Sequence, residues 1–125
     1  MNFPEHLNYT SDHEWLETGG DAVTVGVTDY AQDALGDVVY VGLPQVGREV
    51  KAGDSIAEIE STKSVSDVYA PLTGTVTEVN EALNDRPELI NEDPYGEGWI
   101  CKITGAVGTA SLLDQQGYRA LIQQG

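Results

Sequence analysis

The chain has 125 residues, and its 21 acidic residues against six Lys and Arg give a formal net charge of −15. This balance excludes nucleic acid as an expected partner, because binding to phosphates requires a basic face. The apolar content of 40% argues against disorder, and no apolar run approaches the roughly 18 residues of a membrane span. We expect one compact domain over residues 1–125, with an acidic surface that keeps the protein dispersed or suits basic partners.

The N-terminus and the single cysteine bear on the location of the protein. Residues 1–6 lack the charged-then-apolar layout of a signal peptide and the Arg-rich character of a transit peptide. Cys101 has no second cysteine to pair with, which fits a reducing compartment. We therefore expect a bacterial-type cytoplasmic protein, although a mature organelle protein would share these features.

Strand patterns dominate the chain, and residues 18–21 (Thr-Gly-Gly-Asp), between the first two strands, carry the signal of a hairpin turn. The β-branched and apolar run at 38–43 predicts a buried strand. Many short strands with frequent glycine favour a small β-sandwich or barrel. The predicted strands are residues 13–17, 22–27, 38–43, 55–61, 65–70, 73–79 and 99–104.

Two helices are predicted among these strands. Thr28 and Asp29 can cap a short helix that runs through Leu35 and ends at Gly36. Residues 111–123 are expected to form the second, an amphipathic helix at the C-terminus. Its apolar face is expected to contain Leu112, Leu113, Leu121 and Ile122.

Two Pro-x-x-Gly segments, residues 44–47 and 71–74, lie on either side of Lys63. Each is followed shortly by a valine, Val50 in the first case and Val76 in the second. The pattern is typical of a turn that leads into a strand. We expect two related hairpins around Lys63, in a sandwich with approximate twofold symmetry.

Few residues could carry catalysis. The two histidines, His6 and His13, have no cysteine or histidine at metal-binding spacing, so no metal site is expected. Cys101 alternates with Trp99 and Ile103, which predicts one buried face of a strand and an unreactive thiol. No spacing of carboxylates singles out an acid–base pair, so no catalytic residue is expected.

Lys63 is one of three lysines, and its neighbours are unusual. It lies within Glu60-Ser61-Thr62-Lys63-Ser64-Val65-Ser66-Asp67, where small hydroxyl residues separate two predicted strands. A lysine at the tip of a hairpin is exposed, and small neighbours leave room for an enzyme to reach its amine. A solvated turn lysine is the ordinary interpretation of this pattern, and the residues alone leave both interpretations open.

The segment from Glu60 to Gly74 closely resembles the lipoylation segment of glycine cleavage H proteins, and the resemblance runs in order from about Tyr9 to Tyr118. At one position the chain departs from the family. Some members have a histidine just before the Leu-Gly that ends the first helix, where this chain has Ala34. The other blocks that resemble family motifs are His13-Glu14-Trp15, Gly26-Val27-Thr28-Asp29-Tyr30-Ala31-Gln32, Leu35-Gly36-Asp37, Pro87-Glu88-Leu89-Ile90-Asn91 and Asp93-Pro94-Tyr95-Gly96-Glu97-Gly98-Trp99.

The resemblance implies the barrel-sandwich hybrid fold of lipoyl and biotinyl domains, mostly β with short helices and a C-terminal helix. It also implies a lipoyl group that a lipoate-attaching enzyme places on Lys63, and a monomeric carrier that catalyses no step itself. In the family, the P protein takes carbon dioxide from glycine and passes the aminomethyl group to the carrier. The T protein then moves the one-carbon unit to tetrahydrofolate, and the L protein reoxidises the carrier with NAD.

The family match further implies where a protonated aminomethyl cargo would be held. Carboxylates near a partly dehydrated cleft hold a cation best, since charge-assisted hydrogen bonds are strong there. Glu14 and Asp67 are the expected holders, with Asp12 assisting, and we expect the first two to converge on one cleft. The alternative is that both are ordinary solvated acids.

Other carriers and one class of enzyme compete with this interpretation. Biotinyl domains favour methionines beside the lysine, where this chain has Thr62 and Ser64. Lipoyl domains of 2-oxoacid dehydrogenases usually carry Asp-Lys-Ala and lack the early His-Glu-Trp block. A Schiff-base enzyme would need a desolvated Lys63. A relay that hands lipoate to other enzymes fits the sequence equally well and stays open.

Overall fold

The structure is a computed structural model, and it describes residues 2–19, 21–105 and 112–124. Short antiparallel strands make up most of the regular structure in these ranges. The strands are β1 Asn8–Tyr9, β2 Glu14–Gly19, β3 Ala22–Val27, β4 Val38–Gly42, β5 Glu49–Val50, β6 Ser55–Ser61, β7 Val65–Tyr69, β8 Gly74–Val79 and β9 Cys101–Thr104. The helices are α1 Asp29–Leu35, α2 Ala82–Asp85, α3 Leu89–Glu92 and α4 Gln115–Gln124.

The strands form two sheets. The larger has six strands in the order β1-β2-β3-β9-β8-β5, and the smaller has three in the order β4-β6-β7. Buried aliphatic side chains from both sheets join in one core cluster. Alternate residues of β3 point into this core and are therefore at most 7% exposed, namely Val23, Val25 and Val27. The prediction of a mostly β fold with short helices and a C-terminal helix is confirmed.

A second, aromatic cluster fixes the two ends of the chain to the larger sheet. Phe3, Tyr9, Trp15 and Tyr118 are its buried aromatic members. The rings of Tyr9 and Tyr118 stack with centroids 4.8 Å apart, and Phe3 meets Tyr118 edge-on at 5.3 Å. Helix α4 therefore packs on the N-terminal segment through a tyrosine rather than through Leu121 and Ile122 alone.

The C-terminal helix begins later than the sequence predicts. Of the predicted span, Ser111 lies outside the described residues, and the helix starts at Gln115. Leu113 precedes it and exchanges two backbone hydrogen bonds of 2.7 Å with Tyr9. This pairing holds the chain extended, so the prediction that Leu112 and Leu113 belong to the helix is wrong.

Two predictions of burial are also wrong. In β4, Val39 is 56% and Tyr40 53% exposed, because the strand covers the core with one face only and its register shifts between Val38 and Tyr40. Trp99 precedes β9, and its N–H bonds back to Gly96 in a turn, so alternation with Cys101 does not extend to it. The Trp99 ring is half-buried, and the Lys102 amine lies over it, 5.5 Å from the ring centroid.

The strands that follow the two Pro-x-x-Gly segments pair with each other. Val50 of β5 lies opposite Gly74 of β8, and the Gly47 N–H donates to the carbonyl of Val76 at 2.7 Å. Turns that lead into strands are therefore found at both segments, while the approximate twofold symmetry stays a prediction. No helix in the described ranges is long and apolar enough to cross a membrane.

Candidate functional site

Lys63 lies at the tip of the β6–β7 hairpin, with an exposed side chain. The tip is closed by a backbone hydrogen bond of 2.8 Å, which the Ser61 N–H donates to the Ser64 carbonyl. The Ser61 hydroxyl accepts from the N–H groups of Lys63 and Ser64, both at 3.1 Å, and lies within donating distance of the Ser64 carbonyl at 3.2 Å. A single serine side chain thus orders the loop that presents the lysine.

A second set of contacts fixes this tip to the end of α1. The Thr62 N–H donates to the Asp37 carbonyl at 3.0 Å. Gly36 ends α1 with a φ of +80°, and a Cβ there would lie 3.2 Å from Cε of Lys63 and 3.3 Å from Cδ. The aliphatic part of the Lys63 side chain therefore rests on the face of a glycine, where any side chain would crowd it.

Asn91 of α3 holds that glycine in place. Its amide donates to the carbonyl of Gly36 at 2.8 Å and to the side chain of Gln32 at 3.1 Å. Its side-chain oxygen accepts from the N–H of Val38 at 2.9 Å. One side chain from a distant segment thus joins the end of α1 to the start of β4, beneath the lysine.

A cleft of about 270 Å³ opens beside the tip. One wall contains residues 64–68, which continue directly from Lys63 into β7, and another contains residues of α1, including Tyr30 and Ala34. Residues 12–14 also line the cleft. Ala34 occupies the position where some family members have histidine, so this wall is small and apolar there.

The structure brings the three predicted carboxylates to the lining of this cleft, in two different environments. Glu14 is 2% exposed, and its carboxylate accepts from the Tyr69 N–H and, at 3.1 Å, from the Thr10 hydroxyl. Asp67 is exposed and accepts from the Ser55 hydroxyl at 3.0 Å, and Asp12 is also exposed. No pattern in the sequence indicates that Glu14 is buried while Asp12 and Asp67 stay in solvent.

Burial sets the charge of Glu14. It raises the pKa of the carboxyl to about 7, although hydrogen bonds from Tyr69 and Thr10 oppose the rise. Near neutral pH, Glu14 is therefore divided between its acid and carboxylate forms. A cation entering the cleft would favour the carboxylate.

His13 also lines the cleft, and the sequence analysis names it as part of the His13-Glu14-Trp15 block without assigning it a role there. It adopts a φ of +67°, a left-handed conformation, and its ring packs on Tyr30 with centroids 4.7 Å apart. Nδ1 lies 2.8 Å from the hydroxyl of Tyr118, which lies 2.7 Å from Oγ1 of Thr28. Burial lowers the pKa of His13, while the charge of Asp12 acts in the opposite direction.

Cys101 lies apart from the cleft lining, and the prediction that it is a buried thiol is confirmed. It is fully buried, and burial raises its pKa to about 12, so it stays protonated and unreactive. Within the described ranges, no group of three or more His, Cys, Asp and Glu side chains is arranged to hold a metal ion.

Comparisons with known proteins agree on one family. The family model of the glycine cleavage H-protein matches residues 7–125. The glycine cleavage system H protein of Mycolicibacterium smegmatis is 56% identical, over 97% of each chain, and that of Thermus thermophilus is 53% identical, over 98% of each. A crystal structure of the H protein from Mycobacterium marinum superposes with a TM-score of 0.91 at 43% identity, covering 97% of this chain and 99% of that one. The structural match confirms the predicted barrel-sandwich architecture.

Proposed function

The chain belongs to the glycine cleavage H-protein family, and we propose that it serves that system as a non-catalytic carrier whose lipoyl group is attached to Lys63. The observation that carries this proposal is an exposed amine on a loop ordered by Ser61, with its stem on Gly36 and a cleft beside it. A base of this kind is what a swinging arm requires, since it must be accessible and yet fixed.

The residues present fit a lipoyl group. Lysine and lipoyl together make a chain of roughly ten bonds of ~1.5 Å, so the arm extends on the order of a dozen Å from the hairpin. That length allows the end of the arm either to reach a partner enzyme or to fold back into the adjoining cleft. When attached, a lipoyl group supplies a disulfide that can take up an aminomethyl group and be restored by oxidation.

The proposed partners are the P, T and L proteins of the glycine cleavage system and a lipoate-attaching enzyme. The chain would take the aminomethyl group of glycine from the P protein, deliver it to the T protein and be reoxidised by the L protein. A Schiff-base enzyme is disfavoured, because Lys63 is exposed and lacks the desolvation that such a lysine needs. A single domain, a monomeric state and a cytoplasmic location complete the proposal, the last supported by the bacterial relatives.

The attachment site is tested by peptide mass mapping of protein from its native host, which should find lipoate on Lys63. The variant Lys63→Arg keeps the charge and exposure, so it should fold normally yet support no glycine decarboxylation in a reconstituted system. Lys51→Arg is the matched control and should be fully active. Lipoate on Lys51 or Lys102, biotin on Lys63, or full activity of Lys63→Arg would contradict the proposal.

We further propose that the cleft shelters the cationic cargo through Glu14 and Asp67, with Asp12 assisting. Its support is geometric: all three line one cleft next to the arm, and Glu14 is held by two donors that favour its carboxylate form. Release of the one-carbon unit from loaded protein, followed without T protein, should be faster in Glu14→Gln than in wild type. Glu17→Gln, an exposed acid on the same strand, is the control. Equal release rates in Glu14→Gln and wild type would exclude the role of Glu14.

A further inference from the structure

Three side chains from distant parts of the chain form a hydrogen-bonded row that ends at the cleft. Thr28 and Tyr118 are both fully buried, and the Tyr118 hydroxyl lies between Thr28 Oγ1, at 2.7 Å, and His13 Nδ1, at 2.8 Å. Burial raises the pKa of Tyr118 to about 12, so its hydroxyl keeps its single proton. With one proton and two neighbours, Tyr118 donates to one of them and accepts from the other.

The direction of the row follows from the Thr28 hydroxyl. Thr28 Oγ1 already accepts from the Ala31 N–H at 3.2 Å as the cap of α1. If His13 donated to Tyr118 and Tyr118 to Thr28, the buried Thr28 proton would have no acceptor among the described residues. If Thr28 donates to Tyr118 and Tyr118 to His13, both buried hydroxyl protons have an acceptor. Because buried polar groups are almost always satisfied, the second direction is the one the packing favours.

We propose that Tyr118 is a positioning residue for the cargo cleft: its hydroxyl donates to Nδ1 of His13 and holds the imidazole as the neutral Nε2–H tautomer in the cleft wall. This role rests on the proposed carrier function. A cationic imidazole would repel a cationic cargo and would offset the charge of a neighbouring carboxylate. The C-terminal helix thereby contributes to the cleft without lining it.

The groups around His13 explain why such a device is needed. Asp12 and Glu14 adjoin it in the chain, Tyr30 packs on its ring, and Asp67 lines the same cleft. Carboxylates so near favour the charged imidazole, and a donor fixed at Nδ1 favours the neutral one. Protonation of Nδ1 would require Tyr118 to turn its proton away, towards Thr28, which already accepts one hydrogen bond.

The tautomer is measurable directly by nitrogen NMR of the unlipoylated full chain, because His6 and His13 are its two histidines. In wild type at neutral pH, His13 should show the Nε2–H tautomer, with exposed His6 as the internal reference. Tyr118→Phe removes the donor, so the pKa of His13 should rise by about 0.5 or more and both tautomers should be populated. Tyr9→Phe is the matched control, since it removes a buried hydroxyl that donates to Pro4 in the same aromatic cluster.

The second measurement is the lifetime of the loaded protein without T protein. It should fall about threefold at pH 6 in Tyr118→Phe and stay near the wild-type value at pH 8, where His13 is neutral in both proteins. Glu14 titrates in wild type and variant alike, so the difference between them reports on His13. Tyr9→Phe should match wild type at both pH values.

Each outcome has a definite meaning. An Nδ1–H or cationic His13 in wild type, or a His13 that titrates in Tyr118→Phe as in wild type, would overturn the proposed row. If NMR shows the row as proposed but loaded wild type and loaded Tyr118→Phe have equal lifetimes, the role of the row in the cleft is overturned. Lys63 then remains the proposed carrier residue. The NMR measurement needs no lipoate, so it gives its answer even if the carrier function fails.

Discussion

The hairpin tip that presents Lys63 and the cleft wall beside it are ordered by opposite means. The tip is exposed, and its conformation depends on hydrogen bonds to one serine hydroxyl and to the backbone carbonyls of Ser64 and Asp37. The wall depends on buried side chains, among them Glu14 and Tyr118, which come from distant parts of the sequence. An attachment point must stay accessible to several enzymes, whereas a shelter must control charge, and each region has the kind of order that its proposed task requires.

The largest effect that separates the two regions is expected from truncating Tyr118. Tyr118→Ala empties a fully buried site and should lower the free energy of unfolding by about 3–5 kcal/mol. Lys63→Ala, at the exposed tip, should change it by no more than about 0.5 kcal/mol. Urea denaturation monitored by tryptophan fluorescence measures both. Similar losses in the two variants would mean that the tip is as important to stability as the wall.

A smaller effect should appear as a pH dependence of stability that belongs to Glu14. Its pKa is raised in the folded protein to about 7, so between the unfolded value of 4.5 and about 7 the folded state holds a proton that the unfolded state has lost. Stability therefore falls as pH rises through this window and levels off above it, by up to about 3 kcal/mol.

Glu14→Gln cannot lose this proton, so its stability should fall less between pH 5 and pH 8 than that of wild type. Glu17→Gln, which removes the exposed acid that lies 3.2 Å from His6 Nε2, is the control for loss of a carboxylate from the same strand. Parallel curves for Glu14→Gln and wild type would show that Glu14 is ionised throughout this range.

The smallest effect on stability, and the most local, is expected at the tip. Ser61→Ala removes the acceptor of two N–H groups in an exposed loop, so the free energy of unfolding should fall by about 1 kcal/mol or less. Amide hydrogen exchange of Lys63 and Ser64 should nevertheless become faster. Ser55→Ala, which removes the hydroxyl bonded to Asp67 at the other end of β6, should leave exchange at the tip unchanged. Unchanged exchange in Ser61→Ala would assign the order of the loop to the backbone alone.

Local sequence signals predicted the elements that local interactions specify. Thr28 caps α1 with its side chain and Gly36 ends it at a φ of +80°, as expected from residue types alone. The bounds of β6 are those predicted, because hydroxyl residues interrupt two strand patterns at Lys63. The two-residue strands β1 and β5 escaped prediction, since nothing but pairing with a distant partner distinguishes them from loops.

The candidate site was predictable only in part, for the same reason. Lys63 and the three carboxylates followed from a resemblance along the chain, and the structure adds that the carboxylates line one cleft, which begins at Ser64, next to Lys63. The contact between His13 and Tyr118 spans 105 residues of sequence, and no periodicity connects the two. Trp99 was assigned to the core because it alternates with Cys101, but alternation has this meaning only where the backbone is extended.

In the proposed carrier, Gly36 would affect the rate at which cargo is delivered. Because the stem of Lys63 lies against the backbone of Gly36, the arm cannot enter the space occupied by the end of α1. If roughly half of the directions open to a free lysine are lost in this way, the effective concentration of the arm's end in the remaining half is about doubled. In the proposed carrier, the glycine that ends a helix would thus also concentrate the carried group on the side of the cleft.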